Sequence, residues 1–233
     1  MADFLRKYLK YAVFFVFIPV IFLAGTALFP EKSYGFVSLL CAVLACVPFF
    51  ASFEKKKTAS RTLVIISIMT ALSVGGRFIF APVPFFKPVS AMVIITALYF
   101  GGESGFLTGA MTAVISNFYF GQGPWTPFQM FAWGMVGFFA GVLAKHLLKN
   151  KILLLSYGFI SGFMYSLVMD IWTTLWMDGG FNFLRFLAQA ASALPVTAVY
   201  AVSNVIFLLL LTKPIGKKLD RIKLKYGLIP ENG

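Results

Sequence analysis

The side chains able to bind or react are few, and they gather around three short interruptions of a very apolar chain: APVPFFK (81–87), GQGPWT (121–126) and DGGFN (178–182). Arg77 and Lys87 flank the first. Asn117, Tyr119, Gln122, Trp125, Gln129 and Trp133 surround the second. Asp170 precedes the third, Asp178 begins it, and Arg185 and Gln189 follow it. Amides hydrogen-bond directionally and aromatic rings stack on flat surfaces, so this set suits recognition of a sizeable, partly planar polar molecule. Catalysis is disfavoured: Asp170 and Asp178 are too widely spaced to read as a carboxylate pair, and no nucleophile has a base beside it. His146 is the one histidine, and Cys41 and Cys46 point to different faces of one predicted helix. Neither a metal site, a histidine-based triad nor a disulfide is expected from these residues, and no cofactor is expected either.

The elements that position these groups must cross a membrane. The chain of 233 residues is 60% hydrophobic and 12% charged, with a mean hydropathy of +0.87, well outside the range of ordinary soluble domains. Apolar stretches of the length that crosses ~30 Å of hydrocarbon as a helix predict an all-α polytopic bundle rather than a barrel. The predicted spans run from Tyr11 to Phe29, Tyr34 to Phe53, Arg61 to Phe80, Pro88 to Gly101, Ser104 to Phe120, Pro127 to Ala144, Ile152 to Met177 and Phe183 to Thr212. The net charge of +12 is explained by topology rather than by nucleic acid. Of the 20 Lys and Arg, only Lys32, Arg77, Lys87 and Arg185 fall on one side of the alternating loops. The remainder fall on the other side, which places both termini in the cytoplasm of a multi-pass protein of the cell membrane. The first apolar run imitates a signal peptide, but it is long for one and a second span follows at once.

EKKKTASR (54–61) divides the chain into a two-helix extension (1–57), a six-helix core (58–225) and a short cytoplasmic tail (226–233). Nearly all polar residues at membrane depth belong to the core. Ionisable groups there cost about 2.5 to 3.5 kcal/mol each, so Arg77 and Asp170 are expected to pair with one another, face a wet cavity, or both. Small residues recur at helical spacing in four rows: Ser67, Ala71 and Gly75; Gly105, Gly109 and Ala113; Gly137 and Gly141; Gly158, Gly162 and Ser166. Each row permits close helix approach, as bundle packing or as a docking face.

The segments GRFIFAPVPFFKP (76–88) and GGESGFLTGAMTAVISNFYFGQGPWTPFQMFAWGMVGFFAG (101–141) make the six core spans resemble the substrate-binding S component of energy-coupling factor (ECF) vitamin transporters. The resemblance implies a small membrane protein that captures a vitamin on its outer side without converting it. It further implies association with a transmembrane coupling subunit and two cytoplasmic ATPases, and toppling in the bilayer to release the ligand. The absence of a GxxxxGK[ST] loop agrees with ATP hydrolysis in another chain. Within the resemblance, Ser67, Ala71 and Gly75 occupy the row that docks the coupling subunit, although the serine departs from the family's alanine. The GQGPWTPFQM group is most similar to S components for cobalamin or related corrinoids; riboflavin, a queuine-like base and a pyrimidine precursor are the alternatives. A membrane-embedded enzyme using Asp170 and Asp178, and a scaffold with an incidental polar mouth, are the competing readings.

Overall fold

The computed structural model of the chain describes residues 43, 44, 46, 47, 59–178 and 181–226. From residue 59 onward seven helices follow one another, with no strand among the described residues: α1 (Ala59–Ile79), α2 (Val89–Phe100), α3 (Gly102–Phe120), α4 (Thr126–Val142), α5 (Ala144–Lys149), α6 (Lys151–Asp178) and α7 (Phe183–Tyr226). Apart from residues 43, 44, 46 and 47, the predicted two-helix extension lies outside the described residues. Cys46 is buried against Phe106 and Ala110 of α3.

α2 is apolar around its whole circumference, and every residue from Val89 to Leu98 is buried. A helix without a polar face belongs inside a bundle, and α2 contacts α1, α3, α4 and α7. Its 12 residues rise only about 18 Å, so the predicted span from Pro88 to Gly101 does not cross the hydrocarbon alone. α1, α6 and α7 are long and apolar enough to do so. The buried hydroxyls of α3 are satisfied locally. On α3, Thr108, Thr112 and Ser116 each donate to the carbonyl four residues earlier, at 2.8, 2.7 and 2.6 Å.

Three of the four small-residue rows are helix interfaces. A Cβ on Gly109 would stand 2.6 Å from the Trp133 carbonyl, one on Gly137 would stand 2.6 Å from the Gly105 carbonyl oxygen, and one on Gly162 would stand 2.6 Å from the Ala201 nitrogen. These rows bring α3 onto α4 and α6 onto α7, the two most extensive contacts in the bundle. The row on α1 differs: Ser67 and Ala71 are exposed, and a Cβ on Gly75 would meet no described atom within 4 Å.

Two elements depart from the predicted boundaries. The polar segment around His146 is expected as a loop, yet it contains α5, anchored by buried Leu147. The Asn150 side chain then receives the first amides of α6, at 2.9 Å from Ile152 and 3.2 Å from Leu153. The last span is expected to end at Thr212, before Pro214 and the lysines, but α7 continues to Tyr226 through both Pro195 and Pro214. Packing carries it onward. Leu219 is buried, Gly216 lies against the Tyr99 ring, and Lys223 Nζ sits 5.9 Å from the Tyr99 ring centroid. Arg61 at the start of α1 donates to the Tyr226 carbonyl at 2.8 Å.

Candidate substrate site

The loop joining α1 to α2 closes one end of a cavity of about 310 Å³. Its aromatic wall comes from four elements. Trp133 of α4 stacks on Tyr165 of α6, with centroids 5.2 Å apart and planes inclined by 15°. Tyr200 of α7 meets Tyr165 edge-on at 5.1 Å, and Phe85 of the first loop meets Tyr200 edge-on at 5.9 Å. Phe85 adopts φ of 59°, a left-handed conformation unfavourable for a bulky residue, and its ring is a wall of the cavity.

Lys87 holds that loop in shape. Its Nζ donates to the Phe80 carbonyl, to Ala81 at 3.3 Å and to Val83 at 2.6 Å, while its own carbonyl accepts from Ser203 Oγ of α7 at 3.0 Å. Burial, and secondarily the Arg77 charge, keep the ammonium below the ordinary lysine pKa.

Arg77, near the C-terminal end of α1, projects into the cavity wall. Its Nη1 donates to Ser116 Oγ and, at 2.9 Å, to Asn117 Oδ1. The guanidinium carbon lies 4.4 Å from the Phe120 centroid and 5.3 Å from that of Trp133, within cation–π range of both. A hydrogen-bond network runs on from there. Asn117 Nδ2 donates to Thr126 Oγ1 at 3.1 Å and to Gln129 Oε1 at 2.7 Å, and Gln129 Nε2 donates to the Tyr165 hydroxyl at 2.9 Å. Asn117, Gln129 and Tyr165 are all buried, so these bonds fix where the Arg77 and Tyr165 side chains point.

The expected site residues therefore separate by position. Arg77, Lys87, Gln129 and Trp133 line the cavity. Asn117 and Gln122 stand behind it: Gln122 accepts from Thr126 at 2.9 Å and donates to the Val114 carbonyl at 2.8 Å, shaping the α3–α4 loop. In that loop the Trp125 indole covers Gly123 so closely that a Cβ there would collide with it. Tyr119 is 72% exposed on the outer face of α3, its ring edge-on to Phe78 at 4.9 Å. Asp178 and Arg185 form an ion pair with one another at 3.1 Å, and Arg185 is largely exposed.

Asp170 and Gln189 occupy the seam between α6 and α7, outside the cavity lining. Ser166 and Gln189 hydrogen-bond the Asp170 carboxylate, and Ser166 Oγ lies 2.5 Å from Thr197 Oγ1. Arg77 and Asp170 are thus engaged separately, one by aromatic faces, a hydroxyl and an amide, the other by a hydroxyl and an amide. No ion pair joins them.

Tyr165, Tyr200, Phe85, Phe120 and Asn204 line the cavity without having been singled out by sequence reasoning. Tyr200 and Asn204 carried a usable signal, since two polar-tipped residues four apart in an apolar helix share one face. Asn204 donates from Nδ2 to Ser161 Oγ at 3.0 Å, which leaves its carbonyl oxygen for a ligand.

Residues 57–221 match the family described as ECF-type riboflavin transporter, S component. Comparison with curated proteins and with solved structures gives no match.

Proposed function

Because the chain belongs to the ECF-type riboflavin transporter S component family, we propose that it is the subunit that captures riboflavin, or a flavin of the same size, in the cavity under the first loop. The observation that carries this reading is the stacked Trp133–Tyr165 wall, with Tyr200 edge-on to Tyr165 and Phe85 edge-on to Tyr200, around about 310 Å³. That volume is at the lower end of the ~300–1,000 Å³ typical of small-molecule sites. It suits a three-ring system between aromatic faces. A corrinoid, several times bulkier, would have to displace the first loop, so the cavity favours a flavin over cobalamin. Ring faces supply stacking, Asn204 and Arg77 supply the directional contacts at the ring edge, and Gln129 holds the Tyr165 ring in place.

Delivery follows from the same membership. The coupling subunit docks on the open face of α1 along Ser67, Ala71 and Gly75, where no described helix packs, and two ATPases on the cytoplasmic side supply the energy. The side of the bundle that carries most of the Lys and Arg is cytoplasmic, so the cavity opens outward.

Mass spectrometry of the small molecules retained by the purified full chain tests the substrate, with Trp133→Ala as the control. Riboflavin is expected in the parent and lost from the variant. A retained corrinoid, or a preparation that binds no flavin when supplied with one, would overturn the assignment.

A further inference from the structure

The exposed face of α7 changes character at a single residue. The helix carries no charge from Phe186 to Thr212, and Lys213 is the first cation after Arg185. Before that point the exposed face is aliphatic: Val202 is 49% exposed, Ile206 36% and Leu210 62%. After it, Lys213, Lys217 and Arg221 are exposed. At 3.6 residues per turn these six side chains fall within about 100° of arc, so they form one stripe along the helix. Ala201, Leu208 and Leu219, on the opposite face, are buried in the bundle. α7 packs chiefly on α6 and α2, whereas Cys46 of the N-terminal extension lies against α3.

The stripe has the length and polarity of a phospholipid. Val202 to Lys217 rises about 22 Å, close to one leaflet of a bilayer that is ~40–45 Å thick with its headgroups. Aliphatic side chains lie at the depth of acyl chains, and ammonium groups at the depth of phosphates. The charge pattern favours an anion from outside the chain. Lys213, Lys217, Arg221 and Lys225 recur every four residues, a like-charge spacing that weakens a helix on its own. Residues 213–226 hold six cations and one carboxylate, Asp220, and the whole chain has 8 Asp and Glu for 20 Lys and Arg. Five of those six cations are lysines. A flexible point charge suits a mobile headgroup, whereas a protein carboxylate is better met by the planar fork of arginine.

We propose that this face of α7 binds an anionic phospholipid, with acyl chains along Val202, Ile206 and Leu210 and the headgroup phosphate at Lys213 and Lys217. The site is separate from the vitamin cavity and does not depend on which vitamin fills it. Tyr200 and Asn204 of the cavity lining belong to the same helix, so the bound lipid also sets the depth at which that wall stands in the bilayer.

Native mass spectrometry of the full chain tests this, in non-ionic detergent with equal amounts of phosphatidylglycerol and phosphatidylcholine. The anionic lipid is expected on the protein at least about tenfold more often, in keeping with two or three cations acting on one phosphate. Combined Lys213→Gln, Lys217→Gln and Arg221→Gln should bring the ratio to about one. Combined Lys145→Gln, Lys149→Gln and Lys151→Gln removes as many cations near the same end of the bundle and should leave the ratio as in the parent.

The parent chain decides the matter even if a variant fails to fold. Its preference should weaken when salt is raised from about 0.05 M to about 0.3 M, and an absent preference overturns the proposal. A ratio unchanged in the α7 variant also overturns it. Equal loss in both variants would mean that diffuse positive charge, not the stripe, attracts the lipid. Loss of uptake in the α7 variant, with no lipid preference in the parent, would give the row to an acidic protein surface instead.

Discussion

Gln129 donates to the Tyr165 hydroxyl at 2.9 Å while accepting from Asn117 at 2.7 Å, so one buried amide ties α3 to α4 and α4 to α6. The Tyr165 ring that forms the cavity wall is thereby positioned by a residue whose amide is committed to protein on both sides. Gln129→Leu would leave the Asn117 amide and the Tyr165 hydroxyl without their partner, a cost of about 1–3 kcal/mol for each group so stranded. The expected result is a clear fall in unfolding temperature together with weaker flavin binding. Tyr165→Phe removes the acceptor hydroxyl but keeps the ring, so it should preserve stacking and lose less affinity than Tyr165→Ala. Thermal unfolding and a flavin titration on the three variants check this; Gln129→Leu with parental stability would show that the network holds nothing in place.

Lys87 closes the first loop on itself, and Phe85 of that loop touches Tyr200 across the cavity. Lys87→Met keeps the aliphatic stem and removes the donors to the loop carbonyls. The helices do not depend on those bonds, so stability should change little. Flavin should leave faster, by about tenfold, corresponding to roughly 1.4 kcal/mol of lost closure. Stopped-flow measurement of the dissociation rate reads this directly, and an unchanged rate would mean that the loop is held by Phe85 and Phe86 packing instead.

These two cases also show how far the sequence is legible. Apolar runs and their glycine and proline punctuation mark the helices of the core closely, because in a bilayer the backbone has almost no alternative to a helix. The amides and the arginine are conspicuous for the same reason: each is expensive where it lies. What cannot be seen is which of them faces the cavity. Asn117 and Gln129 carry the same chemistry, yet only Gln129 lines the cavity, and the choice depends on how α3 rotates against α4 through Gly105, Gly109 and Gly137. Tyr165 and Tyr200 sit in the middle of long apolar helices with no local signal beyond periodicity. The extension of α7 past Pro214 is set by distant partners, Tyr99 and Arg61, which no local pattern reveals.

Asp170 illustrates a buried charge whose partners are neutral. Its carboxylate is held by Ser166 and Gln189 in the α6–α7 seam, behind the cavity lining. Asp170→Asn preserves shape and offers an amide to the same neighbours, so flavin affinity is expected to stay within about twofold, as for a change that leaves the lining side chains in place. Asp170→Leu strands Gln189 and should lower the unfolding temperature. Loss of binding in Asp170→Asn with the fold intact would bring Asp170 into ligand recognition and revise the boundary of the site.

The small-residue rows make opposite predictions that one experiment separates. A Cβ on Gly109 would stand 2.6 Å from the Trp133 carbonyl carbon and oxygen, backbone atoms that cannot rotate away, whereas a Cβ on Gly75 would touch no described atom. Gly109→Ala should therefore destabilise the bundle by about 1–3 kcal/mol, the usual cost of overpacking, and displace the Trp133 wall with it. Gly75→Ala should be silent in stability and in flavin binding. Ala71→Trp extends the argument to a partner: on an exposed face it leaves the isolated protein and its affinity unaltered, yet it places bulk where another helix would need close approach. The expected outcome is parental flavin binding in the purified chain with uptake abolished in cells expressing the whole transporter. Normal uptake in Ala71→Trp would move the docking surface off this face of α1, and loss of binding would place Ala71 among the supports of the cavity.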